Sequence, residues 1–143
     1  MLGNSLVNLG NALRGQGNYT DAYPLYTESL YINRELGDRW MLAYLLENIG
    51  VLLALQGNAE HAMQLAGAAA TLRETLGIPL TPTEKSQLED ALEPVRRTMG
   101  EAAAANAWEI GQQLTLEEAI AVALHDWVPP RSARKSAIGM MPE

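Results

Sequence analysis

The chain repeats itself at an interval of 40 residues, and that period restricts what it can fold into more than any other feature. Leu2, Leu6, Asn8, Gly10, Leu13, Gln16, Gly17, Asn18, Ala22, Leu25, Leu36 and Gly37 recur as Leu42, Leu46, Asn48, Gly50, Leu53, Gln56, Gly57, Asn58, Ala62, Leu65, Leu76 and Gly77. A unit of this length is one supersecondary element that cannot bury its apolar face alone, so successive units must stack. Leu6, Leu9 and Leu13, then Ala22, Leu25, Ser29 and Leu30, follow the three-and-four spacing that gathers residues on one face of a helix. Gly17-Asn18 and Gly57-Asn58 interrupt that spacing where the chain must reverse, because Gly and Asn tolerate the positive φ that helix ends often require. Each unit is therefore expected to be a helical hairpin. Small Ala22 and Ala62 let the second helix approach the first. Gly10 and Gly50 lie inside helices at a cost of about 1 kcal/mol each relative to Ala, which predicts that another helix crosses at both.

These positions resemble the tetratricopeptide repeat family, whose pattern reads here as Leu6, Leu9-Gly10, Leu13, Gly17-Asn18-Tyr19, Ala22 and Tyr26 in the first unit. The second unit reads Leu46, Ile49-Gly50, Leu53, Gly57-Asn58-Ala59 and Ala62, with Ala59 and Ala66 where the family prefers aromatics. The family repeat is about 34 residues, so the segments RELGDRW and RETLGIP point to second helices lengthened by more than a turn. The resemblance implies a right-handed superhelix whose first helices line a concave groove that binds a protein or peptide. By family register, Asn4, Val7, Asn8, Asn11 and Arg14 from the first unit and Tyr44, Glu47, Asn48 and Val51 from the second should face that groove. Asn8 and Asn48, at equivalent positions, could hold the backbone of an extended peptide, since amides both donate and accept; equally, they could cross-link adjacent helices. Relatives that clamp a terminal carboxylate carry Lys or Arg beside such asparagines. Val7 and Glu47 stand in two of those places, which counts against carboxylate capture.

After Gly77 the repeat stops and new helix starts appear. Thr81-Pro82-Thr83-Glu84 combines a capping threonine, a proline at the first helical position and a glutamate able to reach back to the cap. It opens a helix to about Met99 with Leu88, Leu92 and Val95 as its stripe. Gly100 ends that helix. A second, about Glu101 to Gln113, carries Ala104, Ala107, Trp108 and Ile110, and Thr115-Leu116-Glu117-Glu118 is a capping box for a third that continues to about Asp126. The expected architecture is all-α, an α-α superhelix of seven helices. Residues 1–80 form two hairpins, 81–127 form a helical cap over the open face of Leu65, Leu72 and Leu76, and 128–143 form a flexible tail. The stretch from Arg39 to His125, above all LTLEEAIAVAL, is also similar to the C-terminal end of bacterial LuxR-type regulators and related signal-transduction ATPases. That resemblance implies a sensory or scaffolding role. Neither a G-x-x-x-x-G-K-[ST] loop nor a helix-turn-helix reader is recognisable in the sequence.

Charge and composition narrow the function further. A net charge of −7 disfavours nucleic acid, whose binding relies on clustered Lys and Arg. Residues 1–130 hold 16 of the acids, whereas Arg131, Arg134 and Lys135 make the tail basic, a pattern expected of a solvated end. Cysteine is absent, no apolar run is long enough to span a membrane, and MLGNSLVNLG lacks a signal peptide's basic start and apolar block. A soluble, cytoplasmic protein without membrane contact is expected. His61 and His125 have no helical partner at metal-ligand spacing, no nucleophile accompanies His125-Asp126, and Glu117-Glu118 suit a helix start. No enzyme activity, cofactor or metal is expected. Trp108, among alanines, reads as core, while Trp40 and Trp127 could meet a partner. The reading is a protein-interaction module of a bacterial signalling or regulatory system, with a small-ligand (inducer) sensor domain of a larger ATPase-type regulator as the alternative. Leu2, Leu6, Leu9 and Leu13 present an apolar edge with no polar cap before it, so a homodimer is also expected.

Overall fold

Helices begin and end where the local sequence changes what the backbone can do. The computed structural model describes residues 2–125, with side chains from Ser5 onward. Over that span the chain forms α1 (Leu2–Gly15), α2 (Tyr19–Leu36), α3 (Arg39–Leu55), α4 (Ala59–Leu76), α5 (Pro82–Met99), α6 (Glu101–Gln113) and α7 (Leu116–Ala123). Gly17 and Gly57, with φ of 79° and 84°, turn α1 into α2 and α3 into α4. Both threonine boxes form in full. Glu84 N donates to Thr81 Oγ1 at 3.2 Å while Thr81 N donates to Glu84 Oε1 at 3.0 Å, and Thr115 and Glu118 repeat the exchange at 3.1 and 2.8 Å. The last helix closes at Ala123 rather than near Asp126, which lies outside the described residues together with Trp127 and the tail.

Helices α1 with α2 and α3 with α4 pack as hairpins, and α2 lies against α3. The core between them is built from Val7, Ala22, Tyr26, Leu30, Leu42, Leu45, Leu46, Ile49, Leu52 and Leu65, all nearly inaccessible to solvent. The two mid-helix glycines mark close contacts of different kinds. A Cβ on Gly10 would lie 2.9 Å from Cε1 of the buried Tyr26 ring, whereas one on Gly50 would lie 3.3 Å from the Ala62 carbonyl oxygen. The smaller second helix of the second unit, without an aromatic at Ala66, brings backbone where the first unit brings a ring.

Helix α4 is covered around most of its circumference. Ala62, Met63, Leu65, Ala66, Gly67, Ala68, Ala69 and Arg73 are all buried, because α3 packs on one side and α6 crosses the other. The alanine run of α4 is thus an internal surface. At the crossing, a Cβ on Gly67 would collide with the Trp108 carbonyl, and one on Gly111 with the Gln64 carbonyl. Only paired glycines allow backbones this close. The buried stripe of α6 is Ala104, Ala107 and Gly111, and Ile110, expected on that face, points outward and is 40% exposed.

Helix α5 packs to a similar extent on α3, α4 and α6, and far less closely on α6 than α1 packs on α2 or α3 on α4, so α5 and α6 do not repeat the hairpin geometry of the first two units. Helix α7 returns over α4 and α3. It reaches α2 as well: Tyr23 Oη donates to the Ala123 carbonyl at 2.7 Å, and Arg34 pairs with Glu117. The Arg34–Glu117 pair is largely exposed and contributes little.

The α4–α6 crossing gives a direct test. Gly67→Ala and Gly111→Ala should each destabilise the protein by more than about 2 kcal/mol, since rigid backbone is the obstacle on both sides. Gly50→Ala, with more room and a gain in helix propensity of about 1 kcal/mol, should change stability by less than about 1 kcal/mol. Chemical denaturation of the three variants checks the order.

Candidate peptide-binding groove

The first helices of the two hairpins and α5 enclose a concave hollow of about 280 Å³. Helix α1 supplies Asn11 and Arg14, α3 supplies Tyr44, Glu47, Asn48 and Val51, and the opposite wall comes from Leu80 and, on α5, Glu84, Gln87, Leu88 and Ala91. Six of the nine residues expected to face a groove therefore converge here. The other three do not join them. Val7 is 1% exposed and belongs to the core, as an apolar branched side chain does when a neighbouring seam can bury it. Asn8 is exposed outside the hollow, and the side chain of Asn4 lies outside the described residues. The Asn8–Asn48 pairing expected from the repeat therefore does not line one surface.

A hydrogen-bond relay holds the polar side chains in place. Tyr26 Oη donates to Asn11 Oδ1 at 2.5 Å, and Asn11 Nδ2 donates to Tyr44 Oη at 3.2 Å. Burial raises the Tyr26 hydroxyl to about 12, so it stays a donor. Arg14 donates to Asn48 Oδ1 at 2.9 Å, while Asn48 Nδ2 donates to the Tyr44 carbonyl one turn back at 2.8 Å. Asn48 cross-links α1 to α3 with both ends of its amide engaged. On the outer side, Trp40 stacks on Tyr44 with ring centroids 6.0 Å apart and planes inclined by 4°.

Glu47 forms the deepest polar feature. Arg73 Nε and a terminal guanidinium nitrogen donate to its two oxygens at 2.5 and 2.9 Å, and another donates to the Ile78 carbonyl at 3.1 Å. Both residues are buried. Desolvation pushes the Glu47 carboxyl above its ordinary value, and the hydrogen bonds from Arg73 offset that only in part. The same hydrogen bonds hold Arg73 above its own usual value. At the far wall, Glu84 is held below the carboxylate range by the Thr81 amide and hydroxyl.

The α5 wall and Arg73 were not anticipated as parts of this site. A third first-type helix after two repeats was the available signal for α5, since the Thr81 box already fixed where it starts. Nothing local in the sequence marks Arg73, which is 26 positions from its partner. Elsewhere, the His61 and His125 rings meet edge to face at 5.1 Å. Among the described residues no group of three or more His, Cys, Asp or Glu is placed to hold a metal ion, and no helix is long and apolar enough to cross a membrane.

A profile of the family described as Tetratricopeptide repeat matches residues 2–75, just over half of the sequence, so the chain belongs to that family. Comparison with curated proteins gave no match, and comparison with solved structures gave none either. Members of the family generally mediate protein–protein interaction through a fold that is generally non-catalytic.

Removing one member of the buried pair should be far worse than removing both. Glu47→Ala strands the Arg73 guanidinium and should cost about 3–5 kcal/mol, whereas Glu47→Leu combined with Arg73→Met should lie within about 1–2 kcal/mol of wild type or above it. Urea titrations of the single and double variants measure the difference.

Proposed function

We propose that the chain is a protein-interaction module that holds an extended peptide segment in the hollow between α1, α3 and α5, without catalysis and without nucleic-acid or membrane contact. The observation that carries this reading is the relay-fixed set of Asn11, Arg14, Tyr44 and Asn48 facing the α5 wall across about 280 Å³. Pre-set polar groups of this kind lower the ordering cost of binding a flexible segment. Arg14 retains donors beyond its bond to Asn48, Gln87 can donate and accept, and Val51, Leu88 and Ala91 offer apolar contact between them. That mixture suits a backbone plus one or two side chains. Helices α5–α7 serve as the C-terminal cap of the stack, and the setting that the narrower sequence resemblance implies is a bacterial signalling or regulatory system.

Partners captured from the source cell by wild type and lost with Arg14→Gln plus Gln87→Ala identify the occupant. Titration with the captured segment should then show each single variant binding about tenfold more weakly, which is about 1.4 kcal/mol. The melting temperature of Gln87→Ala should be unchanged. Equal capture by wild type and the double variant contradicts the groove assignment.

A second reading concerns self-association, because Leu9 on α1 is 52% exposed beside the partly buried Leu6 and Leu13. An apolar edge on the first described helix is suited to a twofold contact. Sedimentation at micromolar concentration should show a dimer that Leu9→Glu dissociates, and a single monomeric species for wild type removes this reading.

A further inference from the structure

A second and larger hollow, about 510 Å³, lies behind the groove between α4, α5 and α6. Its walls are apolar: Ala66 and Ala70 of α4, Leu88 and Leu92 of α5 and Trp108 of α6. It exists because α6 packs far more closely on α4, through the Gly67 and Gly111 contacts, than on α5, and the small Ala66 and Ala70 leave room between the three helices. The hollow opens to solvent past Glu74, Lys85 and Glu89, and the apolar atoms of its walls are left without packing partners on that side. Its volume and lining match those of small-molecule sites, which are mostly apolar with a few polar anchors.

The charged groups at its edges are unequal. Arg73 is already bound by Glu47 and the Ile78 carbonyl. Glu74, Lys85 and Glu89 are exposed to water. Arg96 is half-buried and forms no ion pair or side-chain hydrogen bond among the described residues. A guanidinium in that position matches a planar carboxylate through two parallel hydrogen bonds.

We propose that this cavity binds a small amphipathic carboxylate, its apolar body seated on Ala66, Ala70, Leu92 and Trp108 and its acid group on Arg96. The assignment goes beyond the peptide reading and does not rest on it. Glu47, Leu80 and Leu88 line both hollows, so an occupied cavity meets the groove across the Glu47–Arg73 pair.

Decanoate serves as the probe, with decanol and decylammonium as comparisons, each titrated calorimetrically into the full chain. The expected result is saturable one-to-one binding of decanoate, at least tenfold tighter than either comparison. Arg96→Gln should erase the preference for decanoate over decanol while leaving decanol binding intact. Ala70→Met or Leu88→Trp, which fill the space, should abolish binding of all three. In a chain carrying Trp40→Phe and Trp127→Phe, the emission of Trp108 should shift on adding decanoate, which reports the location even where a filled variant fails to fold. Absence of saturable binding overturns the proposal, as does a silent Trp108. Decylammonium or decanol binding as tightly as decanoate overturns the acid-group assignment, and unchanged binding in folded filled variants overturns the location.

Discussion

Helix α4 meets its neighbours through small residues at the points of closest approach, Ala62 towards α3 and Gly67 towards α6, and the packing of those helices depends on that. Ala62 lets α3 come close enough that the Gly50 position sees its carbonyl oxygen, and Gly67 with Gly111 sets two helix backbones in direct contact on the opposite side. Close approach of this kind is a steric permission more than an attraction. Dispersion supplies the attraction, since two backbones at minimal separation bring many atoms into range at once. Once α6 is committed to α4, it is unavailable to pair with α5 in the manner of a third repeat. Helix α5 then stands against α3 and α4, closing the groove on one side and leaving the apolar hollow on the other.

The Glu47–Arg73 pair occupies the partition between those two hollows. Its two charges are desolvated, so its net contribution to stability is small compared with the penalty for breaking it. What it supplies is position. It joins α3 to the end of α4, and the further bond from Arg73 to the Ile78 carbonyl ties down the segment leading into α5. The hydrogen-bond relay from Tyr26 through Asn11 to Tyr44, with the bond from Arg14 to Asn48, does the same for α1 and α3. Polar side chains lining the hollow are thereby fixed by other protein groups.

The two asparagines show how far a repeat can be read. Asn8 and Asn48 are equivalent in sequence, and in the structure they differ completely. Asn48 has α1 beside it, from which Arg14 reaches its oxygen, whereas Asn8 lies on the outermost described helix and stays exposed. Equivalence in a repeat guarantees equal backbone, but surroundings depend on which neighbours stack there. Val7 was displaced from the expected groove for the related reason that register fixes which way a position points only to within the rotation of its helix.

The sequence by itself determined the seven helices, the glycine turns at Gly17 and Gly57, the capping boxes at Thr81 and Thr115 and the close contacts at Gly10 and Gly50, and it named six residues that line one hollow. All of these follow from preferences that act within a few residues, or from a period that copies them: positive φ at glycine, reciprocal capping three residues apart, and apolar spacing along one face. Tertiary structure alone decided that α6 crosses α4 through Gly67 and Gly111, that α5 completes the groove, that Arg73 neutralises Glu47 and that an apolar cavity remains beside Trp108. Each of these joins residues far apart in the chain through close approach or burial. Such contacts depend on how whole helices fit together, and no local pattern records that fit.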